Sequence, residues 1–166
     1  MNNGREVATI NHKGAVNSIA LSPDGEWMAT ADDDTARVWN MNKRQEVARL
    51  SHGDRVRIVA FSKNGKLLAT GGNDNTSRVW EVSSGQEVSR MKHRDAVYAV
   101  AFSPDDKYLA TASSDNTGRV SLLRPQDLIT EACSRLTRNL TEEEWKQYLP
   151  DEPYRRTCPN WPIPKE

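Results

Sequence analysis

One segment occurs three times in this chain, and a chain built from copies of a unit must fold as an array of that unit, each copy burying its apolar face on the next. The copies are GREVATINHKGAVNSIALSPDGEWMATADDDTARVWN, KRQEVARLSHGDRVRIVAFSKNGKLLATGGNDNTSRVWE and GQEVSRMKHRDAVYAVAFSPDDKYLATASSDNTGRVSLL. His12, His52 and His93 stand 40 and 41 residues apart, and Trp39, Trp80 and Ser121 stand 41 and 41 apart. The odd residue enters between Ala-Thr and Asp, as TADD in the first copy and TGGND in the second. A period of this length holds four short strands.

The first strand of each copy is apolar on both faces: Val16, Ile19 and Leu21, then Val56, Ile58, Val59 and Phe61, then Val97, Tyr98, Val100 and Phe102. Such runs suit a strand covered on both sides. Ser-Pro-Asp-Gly, Ser-Lys-Asn-Gly and Ser-Pro-Asp-Asp then form tight turns, and Asp106, standing where the others have Gly, predicts a strained or altered third turn. Second strands are predicted over Trp27–Ala31, Leu67–Gly71 and Tyr108–Ala112, and third strands over Thr35–Trp39, Thr76–Trp80 and Thr117–Ser121. REVATI, QEVARL and QEVSRM read as polar outer-edge strands, whose charges discourage stray pairing.

Over residues 4–123 these recurring positions resemble the WD-repeat β-propeller family. The family's Gly-His pair stands as Asn11-His12, Ser51-His52 and Lys92-His93, and its Trp-Asp pair as Trp39-Asn40 and Trp80-Glu81, lost at Ser121-Leu122. The resemblance implies an all-β fold of three four-stranded propeller blades, about 4–42, 43–83 and 84–124, as an incomplete propeller with its last strand exchanged. It also implies an internal hydrogen-bond chain in each blade. That chain falls on Trp39, Thr30, His12 and Asp33, with Asp34 a rival for the last place, and on Trp80, Thr70, His52 and Asp74. In the third blade Thr111, His93 and Asp115 lack the Trp. An indole donor, a hydroxyl relay, an imidazole and a terminal carboxylate suit a buried polar network.

A His-Asp-Thr set in every copy points to architecture rather than catalysis, since a reaction centre is needed once; no catalytic residues are expected. Equivalent histidines on successive sheets, ~10 Å apart, do not converge on a zinc ion, and Asp32-Asp33-Asp34 lacks the spacing of a calcium loop. Phosphate-loop, nucleophile-elbow and zinc-protease motifs are all missing from the sequence. No cofactor and no metal are therefore expected. Arg37, Arg78 and Arg119, two residues before the Trp position, are expected to lie across the blade junctions with their guanidinium groups bonded nearby. Lys13, Asp54, Arg55, Arg57, Arg94 and Asp95 make a mildly basic loop rim. In the family that face commonly binds proteins, so the rim is the candidate contact surface, with an anion- or nucleic-acid-binding platform as the alternative. Twenty-three basic and 23 acidic residues, split 17 to 15 within 1–124 and 6 to 8 beyond, give none of the lopsided field a nucleic-acid or membrane binder uses.

After Arg124 the rhythm changes. Leu128, Ala132, Leu136 and Leu140 stand at helical spacing, and Thr141 with Glu144 predicts a capping box opening a second helix that Pro150 ends. Residues 125–166 thus read as a helical extension with a proline-rich tail, expected to pack on the last blade or to serve as a partner-binding appendage. Cys133 and Cys158 read as small buried residues in a reducing compartment, and without a leader pattern the chain is expected in the cytoplasm. EACSRLTRNLTEEEWKQYLPDEPYRRTCPN resembles the C-terminal extension that follows the last WD repeat in bacterial, notably cyanobacterial, multidomain signalling proteins. The resemblance implies a non-enzymatic interaction scaffold or sensor, with upstream NTPase or other effector domains as partners; a gene fragment without independent function is the other reading. Propellers close with ~4–8 blades. Three blades alone leave open faces, so a homodimer closing a six-bladed ring, with each Arg5–Ile10 completing the other chain's third blade, is a further expectation.

Overall fold

The computed structural model describes residues 6, 9–123, 133, 134, 138, 139, 141–148 and 158. The chain divides into two compact units, Met1–Ser121 and Leu122–Glu166. In the first, β1 (Val16–Leu21), β2 (Trp27–Asp32), β3 (Thr35–Asn40) and β4 (Gln45–Ser51) form one antiparallel sheet in chain order. A second contains β5 (Val56–Phe61), β6 (Leu67–Gly72), β7 (Thr76–Glu81) and β8 (Glu87–Lys92), and a third β9 (Val97–Phe102), β10 (Tyr108–Ser113) and β11 (Gly118–Leu122). The fold is that of three propeller blades, the last with three strands among the described residues. The expected leading strand Arg5–Ile10 falls mostly outside those residues; Glu6, Thr9 and Ile10, its described part, are not in a strand.

The register explains why the blades stack. Residues paired across a sheet share a face, so Ala20, Ala29 and Val38 line up on one side of the first blade, with Ala31 and Ala36 beside them. On the second blade the facing side carries Val56, Val59, Leu68 and Trp80. These two sets form one core, with Ala29, Ala31, Ala36 and Leu68 fully buried. Small residues on one face let the next sheet approach, and large residues on the other fill the gap. Burial of each large side chain contributes roughly 1.5–3 kcal/mol.

The second junction repeats the scheme more tightly. Gly71 occupies the place of Ala31, and a Cβ there would lie 2.7 Å from Val97 Cγ1. β9 therefore sits against β6 at a distance only glycine permits. In each blade the innermost strand also bulges by one residue, shown by register shifts between Val16 and Ser18, Val56 and Ile58, and Ala112 and Ser113. The bulge frees Asn17, whose Nδ2 donates to Val56 O at 2.9 Å across the junction.

The turn at Asp106 differs from the expectation of an altered shape. Its φ of 56° matches the 72° and 70° of Gly25 and Gly65, so the same left-handed step is taken. What Asp106 adds is a carboxylate accepting from the amides of Lys63 and Asn64, at 2.8 and 3.0 Å, in the preceding blade's turn. A residue costlier than glycine for its own backbone thus ties two blades together.

In the second unit α1 (Glu142–Tyr148) begins with a reciprocal cap: the Glu144 amide donates to Thr141 Oγ1 at 3.1 Å, and the Thr141 amide to Glu144 Oε2 at 2.9 Å. Arg138 grips both Glu144 oxygens at 2.7 Å and holds its carboxyl down to about 2. The first expected helix lies mainly outside the described residues, although Cys133 and Ser134 are helical; the proline-rich tail, Cys158 apart, lies outside them too. The reading of Cys133 and Cys158 as buried thiols is overturned, because they form a disulfide with Cα atoms 5.4 Å apart. Asn139 brings the two segments together: its Nδ2 donates to Cys158 O at 3.1 Å, and the Cys158 amide donates to its Oδ1 at 2.9 Å. Closing this 25-residue separation contributes about 3 kcal/mol in the chain-entropy picture.

Asp106 generates a prediction. Asp106→Ala keeps the unfavourable backbone and loses both bonds, lowering stability by about 2 kcal/mol, whereas Asp106→Gly regains about 1 kcal/mol of that. Urea melts that ranked the two variants equally would contradict the inter-blade role.

Candidate functional site

The polar chain is complete in the second blade. Trp80 Nε1 on β7 donates to Thr70 Oγ1 on β6 at 2.9 Å, and Thr70 Oγ1 lies 2.7 Å from His52 Nε2. His52 Nδ1 lies 3.1 Å from Asp74 Oδ2. Because the hydroxyl accepts from the indole, its proton goes to His52 Nε2, and the ring donates from Nδ1 to the carboxylate: a neutral imidazole in one tautomer. Burial lowers the His52 pKa below its ordinary 6.5 against the pull of Asp74. Burial also opposes ionisation of Asp74, yet hydrogen bonds from Thr76, the Gly53 amide and His52 prevail and hold it well below the usual carboxylate range.

Arg78 is the member that sequence reasoning placed only loosely. It is buried, and its guanidinium donates to Asp74 Oδ2 at 2.6 Å, to Ser51 O at 3.1 Å and to Thr76 Oγ1 at 3.0 Å. It therefore pins the turn Asp to the backbone just before the histidine. Arg119 repeats this with Asp115 at 2.9 Å and Lys92 O at 2.9 Å. The signal was in the sequence, as an Arg four residues after the Asp in both copies.

In the first blade the carboxylate is Asp32, correcting the assignment to Asp33 or its rival Asp34. Asp32 Oδ2 is 2.9 Å from His12 Nδ1 and 3.0 Å from Arg37 Nη2, and Thr35 Oγ1 donates to Oδ1 at 2.9 Å. The missing residue shortens the loop between the second and third strands, so the acid moves to the strand's last position, which Gly72 fills in the second blade. A Cβ at Gly72 would lie 2.7 Å from Arg55 O, which is why the second blade draws its acid from the longer loop instead. Asp33 takes a φ of 30° and sets its carboxylate over Gly14. Trp39 Nε1 donates to Thr30 Oγ1 at 3.0 Å, but His12 Nε2, though buried, has no partner among the described residues.

The third blade is the least connected. Thr111 Oγ1 and His93 Nδ1 are buried without partners among the described residues, and His93 Nε2 lies 3.2 Å from Ser77 Oγ of the preceding blade. Burial and the Arg119 charge lower the His93 pKa against Asp115. Asp115 instead accepts from Thr117 and from the Arg94 amide, which keep it well ionised. Without an indole at Ser121, no donor among the described residues feeds Thr111, and the His93–Asp115 link is not made.

Above these networks the loops before β1, β5 and β9 carry the rim. Lys13, Asp54, Arg55, Arg94 and Asp95 are exposed there. Asp54 and Asp95 accept from the following amides, at 2.6 and 2.7 Å, leaving the neighbouring Arg55 and Arg94 side chains to solvent. Arg57 stands apart: it sits on the bulge, half-buried, donating to Asn73 Oδ1 at 2.8 Å and lying 5.6 Å over the Tyr98 ring. Among the described residues no group of three or more His, Cys, Asp or Glu could hold a metal ion. No helix among them is long and apolar enough to cross a membrane.

Stacked antiparallel blades, with a His–Asp contact at the loop end of the first two, define a β-propeller architecture. The WD domain, G-beta repeat model matches residues 4–40, 44–81 and 85–120, so the chain belongs to the WD-repeat family, generally non-enzymatic interaction scaffolds. Among solved structures it is similar to U3-55K (TM-score 0.65, 24% identity, 69% of this chain and 38% of that one). It is equally similar to the RRP9 WD40 repeats (TM-score 0.65, 24% identity, 69% of this chain and 37% of that one). The chain thus spans well under half the length of these structures. No curated protein matches it significantly.

The uneven networks predict uneven costs. Thr70→Val strands both an indole donor and a buried imidazole and lowers stability by about 2–4 kcal/mol. Thr30→Val strands only the Trp39 indole and costs about 1–2 kcal/mol; equal effects in urea melts would contradict the relay. The lowered His52 pKa gives a second expectation. A depressed value means the unfolded chain takes the proton first, so this share of stability is full above pH 6.5 and is lost as pH falls. Asp74 adds a loss only below 3.8. Urea midpoints measured from pH about 8 to about 4 fall on acidification, and less steeply in His52→Gln. A midpoint that rose on acidification would contradict this sign.

Proposed function

We propose that this chain is a protein-interaction scaffold or sensor module whose contact surface is the loop rim of Lys13, Asp54, Arg55, Arg94 and Asp95, with Arg57 beneath it as a positioning residue. The observation that supports it is a division of labour within each loop end. His52, Asp74 and Arg78 spend their bonding capacity on one another, while the side chains just above them are exposed. A rim that alternates cations with Asp54 and Asp95, on a chain of zero formal charge, favours a protein partner over a nucleic acid. Membership of the WD-repeat family supports the same reading. The bacterial signalling setting, with upstream effector domains, rests on the resemblance of the C-terminal string alone. The cytoplasmic location loses one of its supports, since a Cys133–Cys158 disulfide is what an oxidising compartment maintains.

Affinity capture from the source organism's extract tests the rim. Proteins retained by the wild-type chain are lost with Lys13→Glu, Arg55→Glu and Arg94→Glu combined. They remain with the control pair Lys63→Glu and Lys66→Glu, exposed in the second blade's hairpin turn. Retention that ignored the rim charges, or that consisted of nucleic acid alone, would contradict the proposal.

A further inference from the structure

We propose that two copies of this chain close head to tail, the open face of each first blade receiving the open face of the other's third blade. The chain already makes this contact twice within itself. At the first internal junction Ala29, Ala31 and Val38 are buried beneath Val56, Val59, Leu68 and Trp80 of the next blade.

Each end of the array carries one half of that contact. Ala99, Ala101, Ala110 and Ala112 on the third blade stand in register with each other and are exposed, beside Val120 at 69%. The first-blade equivalents of Ala110 and Ala112, Ala29 and Ala31, are 0% exposed. The opposite end offers the large half. Val16, Ile19 and Leu21 are 47%, 63% and 62% exposed, against 0% and 3% for Val56 and Val59, the equivalents of Val16 and Ile19. Val16 and Ile19, with Met28 and Trp39, border an apolar depression of about 890 Å³.

The occupant follows from shape and size. The large-residue face fits a sheet face of small residues, and the third blade of a second copy is such a face. The four-stranded face measures ~19 by ~17 Å, about 320 Å², and the three-stranded face ~14 by ~17 Å, about 240 Å². Two junctions bury four faces, roughly 1,100 Å², which clears the ~1,000 Å² that a specific interface needs. Six blades fall within the ~4–8 that close a propeller, and a two-fold axis closes the ring without leaving a polymerising end. Zero formal charge sets up no long-range repulsion between copies. This contact uses sheet faces rather than the loop rim, so its failure leaves the rim proposal standing.

Light scattering on the full chain at micromolar concentration reads the mass. Wild type is expected at twice 18.7 kDa. Ile19→Asp and Ala110→Asp each spoil both junctions of their own homodimer and run at the single-chain mass with unchanged β-sheet circular dichroism. Should either variant lose its circular dichroism, Leu21→Lys and Ala112→Lys take their places. A single-chain mass for wild type, a dimer that survives Ala110→Asp, or an assembly larger than two overturns the proposal.

Discussion

The structure depends on a mismatch between the two faces of every sheet. One face is paved with alanine, glycine and valine, and the other with leucine, tryptophan and larger β-branched residues. Neither face can bury itself, and two like faces fit poorly: small against small leaves voids, and large against large leaves no room. Unlike faces interlock, so the blades stack in one direction and in one order. Gly71 against Val97 marks how closely they approach.

The polar framework reinforces that order. Asn17, Asp106 and His93 each reach across a junction, and the turn acids with Arg78 and Arg119 fix the loop ends from which the rim projects. Among the described residues the relay fades toward both ends of the array: complete around His52, short of a partner at His12 Nε2, and broken at Thr111. Among the described residues only the central blade has a neighbouring blade on each face, so a buried histidine is best satisfied where neighbouring sheets hold all its partners in place.

Most of the fold was legible because it rests on period and alternation. The repeat spacing fixed the number of blades, and apolar runs bounded by turn residues placed β1 to β11 to within a residue or two, whereas the described part of the expected Arg5–Ile10 strand is not in a strand. What escaped depends on geometry that residue types do not encode. A one-residue deletion left the choice between Asp33 and Asp34, and only the strand pairing showed that Asp32, at the last strand position, faces His12. Asp106 looked like a poor glycine because its benefit lies in another blade's turn. The bulge that draws Arg57 onto Tyr98 leaves no sequence mark. The cysteine spacing said nothing of the fold-back that Asn139 makes between Cys133 and Cys158.

Native-state hydrogen exchange tests most directly whether stacking between unlike faces governs this structure. The amides of β6 and β7, in the sheet sandwiched on both sides, are expected to exchange only through global unfolding. The outer strands β4 and β8 are expected to open locally and faster. Exchange in β6 and β7 as rapid as in those edges would mean that the blades hold together by their own hydrogen bonds, and would contradict the account.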